Sequence, residues 1–177
     1  MRSTPILELK HIAFALFLFF ITNGIYSDNA LAEKNSDLKR VNLLVSDLEQ
    51  SLTIYKDTLG MEVFEITKSS LDSYSYPVFN LPKQAEIRFA TLNIGEDKRA
   101  FALTEVKNVI LPSNEGIRMS TVVISVSGLN NKYKQIGSMG LSRTEIDMDI
   151  TPEGKSFSEF SFLDFDGHLI VLYEIKD

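Results

Sequence analysis

Apolar and polar positions follow the same order in two stretches of the chain, 40–48 and 121–129, at an offset of 81 residues. Each stretch opens with the alternation typical of a strand. A short polar turn and an amphipathic helix then follow, and each helix is predicted to end at a glycine, Gly60 or Gly140. A repeat of this size predicts two similar supersecondary units packed into one domain.

The pattern after each helix completes the unit with three more strands. These six strands are predicted at 62–67, 87–94, 100–106, 142–146, 157–163 and 169–174. Asp47 is predicted to cap the first helix, and Tyr74–Pro77 is interpreted as an irregular loop or a strand edge. The order is βαβββ twice. We therefore predict an α+β domain, with helices outside a curved, mostly antiparallel sheet.

The N-terminal segment has the pattern of an export signal. Lys10 precedes the apolar run 12–21, and Ala30 and Ala32 have the spacing that a signal peptidase accepts. We predict a secretory signal peptide at 1–32 and a periplasmic or secreted protein. A retained membrane anchor is the alternative. The run is shorter than the about 20 residues that a spanning helix needs, so we expect no stable membrane insertion after cleavage.

The length of chain after the predicted signal fits one ordinary domain. A short polar lead is predicted at 33–37 and the domain at 38–177, with its units at about 38–107 and 117–176. The formal net charge of −6, without basic runs, argues against nucleic acid partners. The sequence contains no cysteine, which excludes thiolate nucleophiles and disulfides.

The opening and closing motifs of the domain resemble one superfamily. Residues 40–52, RVNLLVSDLEQSL, with LGME at 59–62, are similar to the opening of the vicinal oxygen chelate proteins. These include glyoxalase I, extradiol dioxygenases, and the fosfomycin and bleomycin resistance proteins. Residues 162–174, FLDFDGHLIVLYE, resemble their closing hairpin, with Phe165 in place of the commoner proline. The resemblance implies a glyoxalase-like fold. It implies less about activity, because one fold hosts many chemistries.

The resemblance also implies where a metal would be held. Catalytic members of the superfamily bind a divalent metal with His and Glu side chains from the first and last strands of each unit. Here these positions fall on Arg40, Thr121, Val171 and, in the first unit, near Ala102 or Leu103, with Glu105 as the nearest acid. The chain has two histidines, and His11 lies in the predicted signal. We therefore predict no metal and no other cofactor.

The same strands predict an apolar cup for a small-molecule ligand. The candidate ligand-binding residues are Arg40, Asn42, Leu103, Glu105, Thr121, Val123, Val171 and Tyr173. A filled core without a cavity is the alternative. Arg40 is interpreted either as the group that receives a carboxylate or phosphate, or as one side of an internal salt bridge to Glu105 or Glu159.

The turn before the last strand carries polar residues but predicts no catalytic site. Asp164 and Asp166 are interpreted as turn formers that point outward, and His168 as a surface or capping residue. Ser51 has no His and Asp partners nearby in the sequence, so a nucleophilic serine is not supported.

These features favour an exported binding protein over an enzyme. Two alternatives stay open: a glyoxalase-like lyase or dioxygenase-like enzyme with an atypical metal site, and an envelope structural or interaction protein. We also predict a homodimer, because an open sheet leaves strand edges that need cover.

Overall fold

The computed structural model describes residues 36–112 and 115–176. Their helices and strands belong to one compact unit, Leu38–Asp177. The predicted signal, 1–32, and most of the predicted polar lead lie outside the described residues. Within the described ranges, none of the helices has the length and apolar character needed to cross a bilayer.

Two βαβββ units follow one another along the chain. The first comprises β1 (Val41–Val45), α1 (Leu48–Leu52) with a π-helical continuation (Thr53–Thr58), β2 (Glu62–Lys68), the short α2 (Ser75–Val78), β3 (Glu86–Ile94) and β4 (Asp97–Lys107). The second comprises β5 (Thr121–Ser125), α3 (Leu129–Ser138), β6 (Asp147–Ile150), β7 (Ser156–Leu163) and β8 (Leu169–Lys176).

Each unit forms its own four-stranded mixed sheet, ordered β1-β4-β3-β2 in the first and β5-β8-β7-β6 in the second. The first strand of each unit pairs in parallel with the last, so that Val41 lies opposite Phe101 and Thr121 opposite Leu169. The other pairs are antiparallel. The predicted α+β class with repeated βαβββ units is confirmed. In the described residues the strands form two separate sheets.

Two predicted elements were wrong. Tyr74–Pro77 was predicted as a loop or strand edge, but Ser75–Val78 is a helical turn that buries Tyr76 against the first sheet. The predicted strand at 142–146 forms only an isolated bridge, from Arg143 to Phe162, and the ladder with β7 begins at Asp147. The residues of β6, DMDI, are all exposed, so they lack the buried face by which a strand pattern is found.

A glutamate from the last strand caps the helix in both units. The Leu48 N–H donates to Oε1 of Glu105 at 2.9 Å. In the second unit the Gly128 N–H donates to Oε1 of Glu174, and the Leu129 N–H lies 3.4 Å from Oε2. Carboxylates there satisfy N–H groups that have no partner within the helix. The predicted Asp47 cap is confirmed, since its Oδ1 accepts from the Gln50 N–H at 2.9 Å.

One hydrophobic core joins the helix-facing sides of both sheets. It contains Val45, Phe101 and Leu103 from the first unit and Phe160 and Leu172 from the second. A smaller cluster that includes Tyr76, Ala85, Ile87 and Val106 covers the opposite face of the first sheet. On the second sheet that opposite face leaves Val123 59% exposed and Ile175 39% exposed. This face of the second sheet therefore leaves apolar side chains open on β5 and at the end of β8.

Candidate ligand-binding groove

A groove of about 480 Å³ lies between β1 and β5. Its apolar lining comprises Leu38, Val41, Leu43, Met119, Val122, Val123 and Leu169, and its polar lining comprises Asn42, Arg118, Ser120, Thr121 and His168, with Gly167 beside them. We call this the β1–β5 groove. Its first side is the strand that opens the first repeat, and its second side is the strand that opens the second. Equivalent strands of the two repeats therefore form the two sides of the groove.

A second cavity of about 370 Å³ continues from the β1–β5 groove. The two share Asn42, Arg118 and His168, and the second extends to Leu111 and Asp166. Each volume is in the range of small-molecule sites, which are mainly apolar with a few placed polar groups. Together they can accommodate a small molecule with an apolar body and one polar end.

The structure brings together three of the candidate ligand-binding residues. Asn42, Thr121 and Val123 all line the β1–β5 groove. Val171 lies opposite Val123 in the β5–β8 ladder, but it lines a separate cavity of about 340 Å³. Tyr173 lies opposite Ser125, further along β8.

Arg40 directly precedes β1, is partly exposed, and lines neither the groove nor the cavity that continues from it. The groove receives its positive charge from a residue that the sequence did not single out, Arg118, in the connection before β5.

Leu103 and Glu105 were wrongly predicted to line the cup. Leu103 lies opposite Leu43 and is fully buried in the core. Glu105 lies opposite Val45, two residues further along the same face, and so points towards α1. Both side chains therefore lie on the helix side of the first sheet, away from the groove.

Glu105 forms its ion pair with Arg88. Arg88 Nε lies 2.9 Å from Oε2 of Glu105, and Lys107 Nζ lies 3.6 Å from Oε1. Burial raises the pKa of the Glu105 carboxyl, but the hydrogen bonds from Arg88 and Leu48 and the charge of Lys107 outweigh this, so the pKa lies below its ordinary value. The suggested bridge from Arg40 to Glu105 is replaced by this network.

The turn before β8 connects the two units through a buried carboxylate. Asp164 is 5% exposed, and its Oδ2 accepts from the Tyr55 hydroxyl at 2.7 Å. Its Oδ1 accepts from the N–H groups of His168 at 2.7 Å and Asp166 at 3.1 Å. The outward orientation predicted for Asp164 was wrong. Asp166 extends the connection by accepting from the Ser46 N–H at 2.9 Å.

His168, interpreted from the sequence as a surface or capping residue, is partly exposed and lines the groove. Its Nε2 is 2.8 Å from the Leu44 carbonyl oxygen. A carbonyl oxygen only accepts, so this nitrogen carries the proton and is occupied by β1. In the neutral ring, Nδ1 is then the nitrogen left to accept a hydrogen bond.

Burial controls the protonation of the Tyr55–Asp164 pair. Burial raises the pKa of the Asp164 carboxyl above its ordinary value, although the hydrogen bonds from Tyr55 and His168 act in the other direction. Burial, followed by the nearby Asp164 charge, raises the pKa of Tyr55 well above 10.0. Folding therefore moves the pKa of both groups upward from their ordinary values.

A pH series should detect this shift. A carboxyl whose pKa is raised in the folded state stabilises the fold fully below its unfolded pKa, and that contribution is lost as the pH rises through the folded pKa. We expect the difference in unfolding free energy, wild type minus Asp164→Asn, to fall as the pH rises from about 3 to about 7. Urea unfolding at each pH measures it. A difference that rises with pH would contradict a raised pKa.

The residues at the superfamily's metal positions do not fit a metal ion. Arg40 is a cation, Thr121 offers one neutral hydroxyl, and Val171 and Ala102 are apolar. Across 36–112 and 115–176, no group of three His, Cys, Asp or Glu side chains is placed to hold a metal ion. A divalent metal needs several N, O or S donors. The described residues do not provide such a donor set.

Comparison with known proteins gives one consistent result. The sequence model of the Glyoxalase/Bleomycin resistance protein/Dioxygenase superfamily matches residues 37–172. A search of curated proteins found no match.

Solved structures show the same fold. A glyoxalase family protein from Bacillus cereus superposes with a TM-score of 0.63 at 14% identity, over 82% of this chain and 99% of that one. A glyoxalase/dioxygenase from Nostoc punctiforme gives 0.53 at 14% identity, over 85% and 99%. The fosfomycin resistance protein FosX from Listeria monocytogenes gives 0.52 at 14% identity, over 78% and 93%. Likeness at this identity shows a shared fold.

Proposed function

Because the chain belongs to the glyoxalase/bleomycin resistance protein/dioxygenase superfamily, we propose that it binds a small, partly apolar molecule in the β1–β5 groove. The observation that carries this proposal is the groove itself, which has a mainly apolar lining and a volume of about 480 Å³. Sites for small molecules have this character. Catalytic members of the superfamily hold their metal with side chains from the first and last strands of each unit, and the groove includes one of these positions, Thr121.

Binding is favoured over the metal-dependent chemistry of catalytic members by the side chains present. Thr121 lines the groove, but Val171 lies in another cavity and Arg40 in neither. A dication near Arg40 would be repelled, and Val171 has no donor atom. We therefore propose binding without a metal of the superfamily type.

Binding is favoured over a purely structural role by the difference between the two sheets. The face of the first sheet away from α1 is covered by the cluster around Tyr76 and Ile87. At β5, Val123 is 59% exposed beside the groove. A filled core would bury such a side chain, whereas a ligand site leaves it open for its occupant.

Export and self-association accompany this proposal. We propose that 1–32 is removed as a secretory signal, so that the protein acts in the periplasm or outside the cell, and that the mature chain forms a homodimer. The mass of the protein purified from the cell envelope tests cleavage after Ala32. Light scattering tests the dimer.

A ligand screen with a matched pair of variants tests the binding site. We expect a library of small amphipathic molecules, followed by thermal shift, to contain members that bind one site per chain. Val123→Arg places a large charged side chain in the groove and should weaken binding at least about 10-fold. Ile175→Arg makes the same change on an exposed strand residue outside the groove lining and should leave the affinity unchanged.

Two results would contradict the proposal: a library without any binder, or binders that Val123→Arg leaves unaffected. The same screen repeated with a chelator separates metal-independent binding from the enzyme alternative. We expect the affinities to be unchanged by the chelator.

A further inference from the structure

We propose that the β1–β5 groove selects carboxylate-bearing ligands, and that Arg118 is the residue that binds the carboxylate. This inference rests on the proposed binding function and adds the chemical class of the ligand. Three observations support it: the partners of the Arg118 guanidinium, the charges along the groove, and the position of the apolar surface.

The Arg118 guanidinium is held by neutral groups. Its Nη1 donates to the main-chain oxygens of Glu115 at 3.1 Å and Gly116 at 3.2 Å. Its Nε is buried without a hydrogen-bond partner in the described part of the chain. Unlike Arg88, which pairs with Glu105 and Glu49, Arg118 forms no ion pair with a described carboxylate. The cation is therefore positioned by main-chain contacts, and no carboxylate of the described residues forms an ion pair with it.

Arg118 is also the only Asp, Glu, Lys or Arg side chain among the described residues that line the β1–β5 groove. In the adjoining cavity the charged residues are Arg118 and Asp166, and Asp166 already accepts from the Ser46 N–H. His168 uses Nε2 for the Leu44 carbonyl. The larger cavity therefore offers one positive charge in an otherwise neutral lining, which favours an anion over a neutral or cationic ligand.

The apolar surface extends from Arg118 along the groove. Met119 follows Arg118 directly and is fully exposed, Val123 lies further along on β5, and Val41 lines the groove from β1. A ligand with its anionic group at Arg118 would cover these side chains with its apolar body. Because Nη1 is used by the main-chain oxygens and Nε is buried, Nη2 is the nitrogen that can donate a charge-assisted hydrogen bond to a ligand carboxylate. The ligand class is therefore an amphipathic monocarboxylate.

Three matched probes test the charge preference: naphthalene-2-carboxylate, naphthalene-2-carboxamide and 2-naphthylmethylamine, measured by calorimetry on the purified protein. We expect the carboxylate to bind at least about 10-fold more tightly than the amide, and the amine to bind most weakly. Arg118→Gln should weaken carboxylate binding about 10- to 100-fold and change amide binding less than about 3-fold. Arg40→Gln removes a nearby cation outside the groove and should change neither.

The outcomes separate this inference from the proposed function. Equal binding of carboxylate and amide to the wild type, or an unchanged carboxylate affinity in Arg118→Gln, overturns the role of Arg118 while leaving the groove as a binding site. Failure of all three probes to bind overturns the inference together with the binding function. If Arg118→Gln does not fold, Arg118→Lys keeps the charge without the planar fork. It should then show a smaller loss confined to the carboxylate.

Discussion

Replacement of Asp164 by alanine is expected to lower the free energy of unfolding by roughly 3–5 kcal/mol. The carboxylate is buried and accepts from the Tyr55 hydroxyl and from two main-chain N–H groups of its own turn. Each buried donor that loses its acceptor costs about 1–3 kcal/mol. Removal of the side chain leaves three donors without their acceptor: the buried Tyr55 hydroxyl and two partly buried main-chain N–H groups. Urea unfolding followed by circular dichroism measures the change.

Two variants separate hydrogen bonding from the loss of volume at Asp164. Asp164→Asn retains an oxygen for the two N–H groups and can donate to the Tyr55 oxygen, so it should cost less than half as much as alanine. Tyr55→Phe keeps the ring that packs on Phe101 at a centroid distance of 4.9 Å and removes only the hydroxyl. We expect Asp164→Ala to cost less in the Tyr55→Phe background. Strictly additive effects would show that the two groups are not coupled.

The repeat made the first strand and helix of each unit predictable. Apolar and polar residues alternate along β1 and β5, which indicates one buried face on each strand. Asp47 before the first helix and the glycine after each helix mark the helix limits in the sequence. These signals depend on neighbouring residues in the sequence, so they predict the strand and the helix without knowledge of the tertiary packing. The wall of the groove could be predicted for the same reason, since Asn42, Thr121 and Val123 lie on the two strands that the repeat aligns.

Alternation could not predict which side chains of β4 point to which face of the sheet. Residues 101–106, FALTEV, are buried at every position, because the strand lies between β1 and β3 and is covered on both faces. A strand buried on both faces loses the alternation that assigns its side chains. Leu103 and Glu105 were therefore placed in the cup, whereas the ladder with β1 turns them towards α1.

Comparison of the two repeats contains a sequence signal for the orientation of Glu105. Leu48 and Leu129 are equivalent in the repeat, and the glutamates that contact their N–H groups, Glu105 and Glu174, lie on the last strand of each unit. Aligned from the strand ends, these two glutamates predict a shared capping role. Arg118 carries no comparable signal. It lies in the connection between the units, where the chain has no strand or helix periodicity, and only the three-dimensional structure places it at the groove.

The second large effect expected is at Glu105, and it tests whether Arg88 or Arg40 is the partner of this carboxylate. Glu105→Ala removes one of the two carboxylates that pair with Arg88, and it removes the acceptor of the Leu48 N–H. Breaking a buried ion pair costs about 3–5 kcal/mol. The Arg88 side chain is 35% exposed, so water can solvate its charge after the substitution and offset part of this cost. We expect a loss of roughly 2–4 kcal/mol, measured by urea unfolding.

Arg40→Ala is the matched control, since Arg40 was the other cation proposed to bind Glu105. It should change stability by less than about 0.5 kcal/mol, as at most surface positions. Glu105→Gln should also reduce the sensitivity to acid. The lowered pKa of Glu105 means that its stabilising contribution is present above its ordinary value of 4.5 and is lost as the pH falls through the folded pKa. If Arg40→Ala were as destabilising as Glu105→Ala, with coupling between the two in a double variant, the assignment of Arg88 as the partner of Glu105 would be wrong.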